Sequence, residues 1–283
     1  MNYARPASVE EAVALLSAGG WRPLAGGTDV YPALGEAVAP PLLDLTGIGA
    51  LRGVRDEGAV LRIGALATWT EVIEAPLPPA FDALKAAARE VGGVQVQNAG
   101  TVAGNICNAS PAADGMPPLL ALDALVEIAG AAGRRTVPLS AFVTGPRRTC
   151  LAPGEIVTAL VVPKAHADAR SAFLKLGART HLVISIAMVA AVLRLDAAGR
   201  VAAAALALGA CGPVARRLAT VEAALEGCLP GVETDAAIVA APMPEVSPID
   251  DVRATAAYRE AAAREIVARA VRLAAGCGAE AAA

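Results

Sequence analysis

The sequence has only two histidines, His166 and His181, and no closely spaced pair among its five cysteines, Cys107, Cys150, Cys211, Cys228 and Cys277. Two imidazoles are too few for a histidine-rich metal centre. Iron–sulfur clusters are bound by grouped thiolates, usually with a C-x-x-C pair, so no such cluster is expected in this chain. An odd cysteine count suits a reducing compartment better than a disulfide framework. A basic excess is also missing. The net charge of -3 offers nothing to displace counterions from a polyanion, which argues against nucleic acid as the partner. The longest apolar run, Leu182–Leu193, is interrupted by Ser185, flanked by Arg179 and Arg194, and too short to span a bilayer. The opening residues Met1–Pro6 show no apolar segment of the secretory kind. A cytoplasmic protein is expected.

What is present is a long, apolar chain: 283 residues, 55% hydrophobic and 18% charged, enough for two cores. The first stretch alternates short strands and helices. Ser8 and Glu11 sit at capping-box spacing before a helix Glu10–Ser17, and strands are expected at Trp21–Leu24 and Leu42–Leu45. From Ala59 onward come a strand Val60–Ala65, a helix start at Thr68-Trp69-Thr70-Glu71, and a helix Pro79–Val91. A Gly/Asn/Ser-rich segment, Asn98–Asp114, follows, then an apolar helix Met116–Asp123 and strands at Leu125–Ala129 and Ile156–Pro163. Beyond Lys164–Asp168, three strands are expected at Ala172–Leu176, Ile184–Leu195 and Val201–Ala210. Helices at Leu218–Leu225 and Ala254–Ala275 complete an antiparallel sheet-plus-helix tail. The fold class is α+β. An N-terminal domain over 1–165, with parts at about 1–55 and 56–165, precedes a smaller C-terminal domain over 170–283.

Two glycine-bearing turns carry the chemistry. Ala25-Gly26-Gly27-Thr28-Asp29 follows a strand ending at Leu24 and leads through Val30 into a short helix. Glycines here let backbone amides approach a ligand and point into one concavity. Gly100-Thr101-Val102-Ala103-Gly104-Asn105 has the same character and is followed by Ser110 and Asp114. Neither turn ends in the Gly-Lys-Ser/Thr of a P-loop, and neither fits G-x-G-x-x-G. Two such turns suit a diphosphate held by main-chain donors. A polar stretch as long as Asn98–Asp114 between apolar segments points to function, because long irregular loops inside compact domains are seldom idle. Taken singly, each residue has a plainer reading. Lys175 is a strand lysine on a solvated face, Asp114 a helix N-cap for Met116–Leu122, Val157 a core residue, Cys107 a packed thiol, and Arg147-Arg148 a solvated pair.

Together, Ala25–Asp29, Asn98–Ile106 and Ala109–Asp114 resemble the FAD-binding medium subunits of molybdenum hydroxylases, the group of carbon monoxide dehydrogenase and xanthine dehydrogenase. Ile63–Glu71, Gly154–Val157, Phe173–Arg179 and Tyr258-Arg259 fit the same pattern in the same order. The resemblance runs from Pro6 to about Ala275. It implies a two-part α/β FAD-binding domain of the type shared with peptidoglycan-precursor reductases. Leu24–Val30 and Thr101–Asn105 would hold the FAD diphosphate, with Ser110 close by. Asp114 would meet the ribityl or phosphate region, Val157 the isoalloxazine, and Lys175 its polar edge. Ala103 stands where glycine is usual, and Val91 where some relatives carry an aromatic ring.

The resemblance further implies a heterotrimer. A large subunit would hold the molybdenum cofactor, a small subunit the [2Fe-2S] clusters, and a terminal electron acceptor would take electrons from the FAD. No residue of this chain would then perform acid–base chemistry on substrate. A self-contained FAD oxidoreductase of the same fold, or a flavin-holding scaffold without catalysis, are the alternative readings.

Overall fold

The structure is a computed structural model describing residues 3–34, 40–165 and 167–277; His166 lies outside the described residues. The chain forms two compact units. One comprises the residues up to Ala75 with Gly93–Ala109 and Ala124–Pro163. The other comprises Pro76–Gly92, Ser110–Asp123 and the chain from Lys164 onward.

The first unit holds two principal sheets. In the smaller one, Leu42–Asp44 lies between Tyr3–Ala4 and Arg22–Leu24, and both pairings are parallel. The helix Val9–Ser17 starts where expected. Ser8 accepts from the Glu11 amide at 3.1 Å, and the Glu11 carboxylate reaches the Ala7 amide at 2.8 Å. The larger sheet runs Val54–Asp56, Val60–Gly64, Ile156–Pro163, Leu125–Gly130, Gly133–Pro138, antiparallel throughout. Its central strand, Ile156–Pro163, reads as a continuous apolar run because it is covered on both faces; Ala159, Leu160 and Val162 are fully buried. Its pairing with Leu125–Gly130 slips at a bulge between Val157 and Ala159. Thr68 opens the helix Trp69–Glu74 with a complete capping box, its amide 2.7 Å from the Glu71 carboxylate.

The second unit is built on a four-stranded antiparallel sheet in the order Arg170–Leu176, Ala187–Leu195, Val201–Gly209, Arg216–Arg217. The three long strands are those expected from sequence, and the two-residue strand Arg216–Arg217 adds an edge. The helix Ala256–Ala274 turns Ala263, Val267, Ala270 and Val271 onto the sheet, where they meet Val189, Ala191 and Leu206 in one apolar cluster. Small alanines on both faces let helix and sheet approach closely. The helices Asp82–Glu90 and Met116–Ala121, from the first half of the chain, also belong to this unit. The Ala83 amide donates to the Ser171 hydroxyl at 2.9 Å, and the Ala210 amide to the Pro111 carbonyl at 3.0 Å. Among the described residues no helix is long and apolar enough to cross a membrane.

Candidate functional site

The first glycine turn leaves the parallel sheet at Leu24, which is buried, and enters the helix Val30–Leu34. Gly26 passes directly over the end of the helix Val94–Ala99. A Cβ added there would lie 1.8 Å from the Ala99 carbonyl oxygen, so only glycine fits. Gly27 has φ +73°, in the left-handed region that side chains disfavour. Among the described residues no protein acceptor takes a hydrogen bond from the amides of Gly26, Gly27, Thr28 or Asp29. Gly27 is itself buried. A buried amide without a partner is rare in a folded protein and marks a place where a ligand or water completes the bonding.

The second turn differs from expectation. Asn98–Asp114 is not one irregular loop. It contains the end of the helix Val94–Ala99 and the whole of a second helix, Val102–Asn108. Glycine and asparagine disfavour helix intrinsically, but here capping and tertiary contacts outweigh that preference. The Thr101 hydroxyl caps the Gly104 amide at 3.0 Å, and the Val102 amide is held by the Ala67 carbonyl at 3.0 Å. Thr101–Asn105 is therefore a cap and a first helical turn. Ala103 is buried and its amide donates to no protein acceptor among the described residues. The Asn105 side-chain oxygen is buried and also unpartnered. The two turns adjoin: a Cβ on Gly100 would stand 3.3 Å from the Thr28 hydroxyl. At the far end of the same helix the Asn108 side-chain amide donates to the Asp29 carboxylate at 2.7 Å. The helix packs against the strand Ile156–Pro163, where Val157 sits buried beside the bulge.

In the second unit the expected residues form a closed charge cluster. The Lys175 ammonium lies 2.7 Å from one Asp114 oxygen and 3.3 Å from the Glu90 carbonyl, while the Ser185 hydroxyl donates to the other Asp114 oxygen at 2.7 Å. The lysine and aspartate side chains are only 7% and 10% exposed. Lys175 is thus not on a solvated face. Asp114 does not cap the following helix either, because Gly115 holds the cap position and both carboxylate oxygens are engaged elsewhere. Burial pushes the Asp114 carboxyl above its ordinary range, against the pull of Lys175 and Ser185. Ser110 turns inward on its own segment, its hydroxyl accepting from the Ala112 amide at 3.3 Å.

Sequence reasoning missed four members of this neighbourhood, Ser185, Asp251, Arg253 and Arg259, as site residues. Ser185 is fully buried, and its carbonyl accepts from Arg253 at 2.8 Å. Arg259, 1% exposed, donates to the carbonyls of Ile186 and Ala210 and to Asp251. The Arg253 guanidinium beside Asp251 holds that carboxyl well below the usual range. Only the Tyr258-Arg259 pair left a trace in the sequence pattern. Cys107 is a packed thiol as expected, with burial pushing its pKa up to about 12. Arg147, read from sequence as solvated, instead bonds the carbonyl and side chain of Asn108.

Two family models match the chain: the FAD binding domain in molybdopterin dehydrogenase over residues 1–165, and the CO dehydrogenase flavoprotein C-terminal domain over residues 172–274. The chain is 33% identical to the putative xanthine dehydrogenase FAD-binding subunit of Escherichia coli K12, over 97% of each chain. It is 33% identical to the carbon monoxide dehydrogenase medium chain of Hydrogenophaga pseudoflava, over 96% of each. The solved carbon monoxide dehydrogenase from Hydrogenophaga pseudoflava that lacks the Mo-pyranopterin moiety matches with a TM-score of 0.89 at 34% identity, covering 98% of both chains. Quinoline 2-oxidoreductase from Pseudomonas putida 86 matches with a TM-score of 0.86 at 25% identity. With both family models matched in succession along the chain and relatives at 33% identity covering nearly all of it, this chain belongs to the family of FAD-binding subunits of molybdopterin dehydrogenases.

Proposed function

We propose that the chain holds FAD through the two glycine turns of its first unit and serves as the electron-relay subunit of a cytoplasmic molybdenum hydroxylase. The carrying observation is the set of unpartnered amides at Gly26, Gly27, Thr28, Asp29 and Ala103, gathered where Gly26 allows two turns to close on each other. Such amides suit a diphosphate, whose oxygens accept hydrogen bonds and need no cationic side chain to hold them. The orphaned Asn105 oxygen adds an acceptor for a hydroxyl or amino group of the same cofactor. The residues fit FAD. Ala103 in place of a glycine leaves its amide free, so the added methyl removes no donor.

Bound FAD accepts electrons singly and releases them in pairs, which suits a link between one-electron centres and a two-electron acceptor. This chain's residues bind and orient it. The large molybdenum subunit and small iron–sulfur subunit are proposed partners, and a separate acceptor completes the path; a relative named as a medium chain, and a solved relative whose name refers to the molybdenum cofactor, support the multi-subunit reading. In the second unit, a flavin contact would meet Asp114 and Lys175 as a bonded pair, not as a free ammonium. The division near residue 165 is supported by the two family models, one ending at residue 165 and the other beginning at residue 172.

The test is Gly104→Val. A Cβ at Gly104 lies 2.7 Å from the Thr101 hydroxyl, so bulk there displaces the cap and the neighbouring amides. The purified wild-type chain is expected to be yellow with one FAD per chain. The variant should keep its circular dichroism and lose its visible flavin absorbance. A wild-type chain that takes up no FAD, or a variant that retains it stoichiometrically, contradicts the assignment.

A further inference from the structure

One exposed arginine joins both turns and is used by nothing derived above. Arg147 lies in the turn between the strands Val143–Gly145 and Arg148–Thr149, with φ +58°, a conformation unfavourable for any residue bearing a Cβ. Its amide donates to the Ala109 carbonyl at 2.8 Å, and Ala109, ending the helix Val102–Asn108, is itself left-handed at φ +48°. Its guanidinium donates to the Asn108 carbonyl at 3.3 Å and to the Asn108 side-chain oxygen. With its oxygen held by Arg147, the Asn108 amide group is oriented with its nitrogen toward Asp29, 2.7 Å away. The chain of bonds Arg147–Asn108–Asp29 thus runs from a distant hairpin, through the end of one turn's helix, to the last residue of the other turn.

The geometry points to Arg147 as a positioning residue for cofactor binding. It fixes the Asn108 amide, and through it the Asp29 carboxylate, so that the two turns keep their spacing and the acidic group of the first turn is tied to a donor. An untied Asp29 carboxylate would be free to swing toward a negatively charged diphosphate. Arg147 touches neither turn's open amides and is not placed in contact with the ligand. The inference rests on the FAD reading above.

The decisive variant is Arg147→Gly. Glycine accepts φ +58° without strain and keeps the amide that bonds Ala109, so the fold is spared while the guanidinium is lost. FAD binding to the full chain is read by flavin fluorescence during titration, beside the melting temperature of the flavin-free protein. The expected result is an unchanged or raised melting temperature with FAD dissociation weakened about tenfold, the scale of one charge-assisted hydrogen bond. Asn108→Ala should weaken binding similarly, and the double variant no further, because both cut the same chain. A Kd unchanged in Arg147→Gly, or losses that add fully in the double variant, would overturn the role. If the wild-type chain bound no FAD at all, the functional reading would fail instead, which separates the two outcomes.

Discussion

The two units solve the problem of a polar site in opposite ways. In the first, the polar groups are main-chain amides left open: Gly26, Gly27, Thr28, Asp29 and Ala103 point at no protein acceptor among the described residues. In the second, the polar groups are side chains already satisfied, with Lys175, Asp114 and Ser185 bonded to one another and largely buried. An open backbone cradle gains its stabilisation when ligand arrives, since only then are its donors satisfied. A closed ionic cluster contributes whether or not ligand is present. Disturbance of the first should therefore appear mainly in cofactor affinity, and disturbance of the second mainly in folding stability.

The largest effect tests the second half of that contrast. Lys175→Met leaves the Asp114 carboxylate buried with only the Ser185 hydroxyl, and breaking a buried pair from one side typically costs about 3–5 kcal/mol. Denaturant unfolding should show a loss of that order. Adding Asp114→Asn should restore most of it, because the uncompensated charge is gone. A stability-neutral Lys175→Met would mean that the cluster is not closed and that the comparison fails there.

A smaller effect tests the first half. Gly27→Ala puts a side chain on a residue at φ +73° and brings its Cβ within 2.4 Å of the Tyr31 ring, which is exposed and free to move. The remaining conformational penalty is about 1–2 kcal/mol. Part of it will appear as a shift of the turn and its amides, so FAD titration should weaken about tenfold while the melting temperature of the flavin-free chain changes by only a few degrees. An affinity equal to wild type would show that the turn's conformation is unimportant to the cradle.

The same contrast explains what could be read in advance. Gly26 and Gly27 were legible because main-chain chemistry leaves a local signature, glycine where a backbone must approach closely; Thr101 was legible only as a member of the second glycine-bearing turn, and its role as a helix cap was not. The helix Val102–Asn108 was not legible, since its own composition opposes helix and its stability comes from Thr101 and the Ala67 carbonyl, a contact 35 residues back in sequence. The strand Gly133–Pro138 also escaped notice, because an exposed edge carrying Arg134 and Arg135 has no buried face to show as alternation. In the second unit, Asp114, Lys175 and Ser185 lie far apart in the chain, and nothing near any of them announces the others. Asp114 was legible as the end of the polar stretch after the second turn, Lys175 could be named only through resemblance, and Ser185 was not named as a site residue at all.

The smallest effect sharpens the comparison by its sign. Glu127 in the first unit, bonded by Arg62, Thr158 and Arg134, has its carboxyl held down at about 2, chiefly by the Arg62 guanidinium. Between that value and the ordinary 4.5, the unfolded chain binds the extra proton, so stability rises with pH and is lost as pH falls through the window. Asp114 behaves oppositely. Its burial places the folded carboxyl above 3.8, the native state binds the extra proton, and this group's contribution declines as pH rises past 3.8. Acid unfolding of wild type should therefore contain two opposed limbs. Glu127→Gln should flatten the fall below about pH 4.5, and Asp114→Asn should flatten the decline above about pH 4. Because Glu127 remains partly solvated, its limb should be shallow, within the range of exposed ion pairs at about 1 kcal/mol or less. Limbs of the same sign in the two variants would mean that Asp114 is governed by Lys175 and not by its burial, and the second unit's cluster would then resemble the surface pairs of the first.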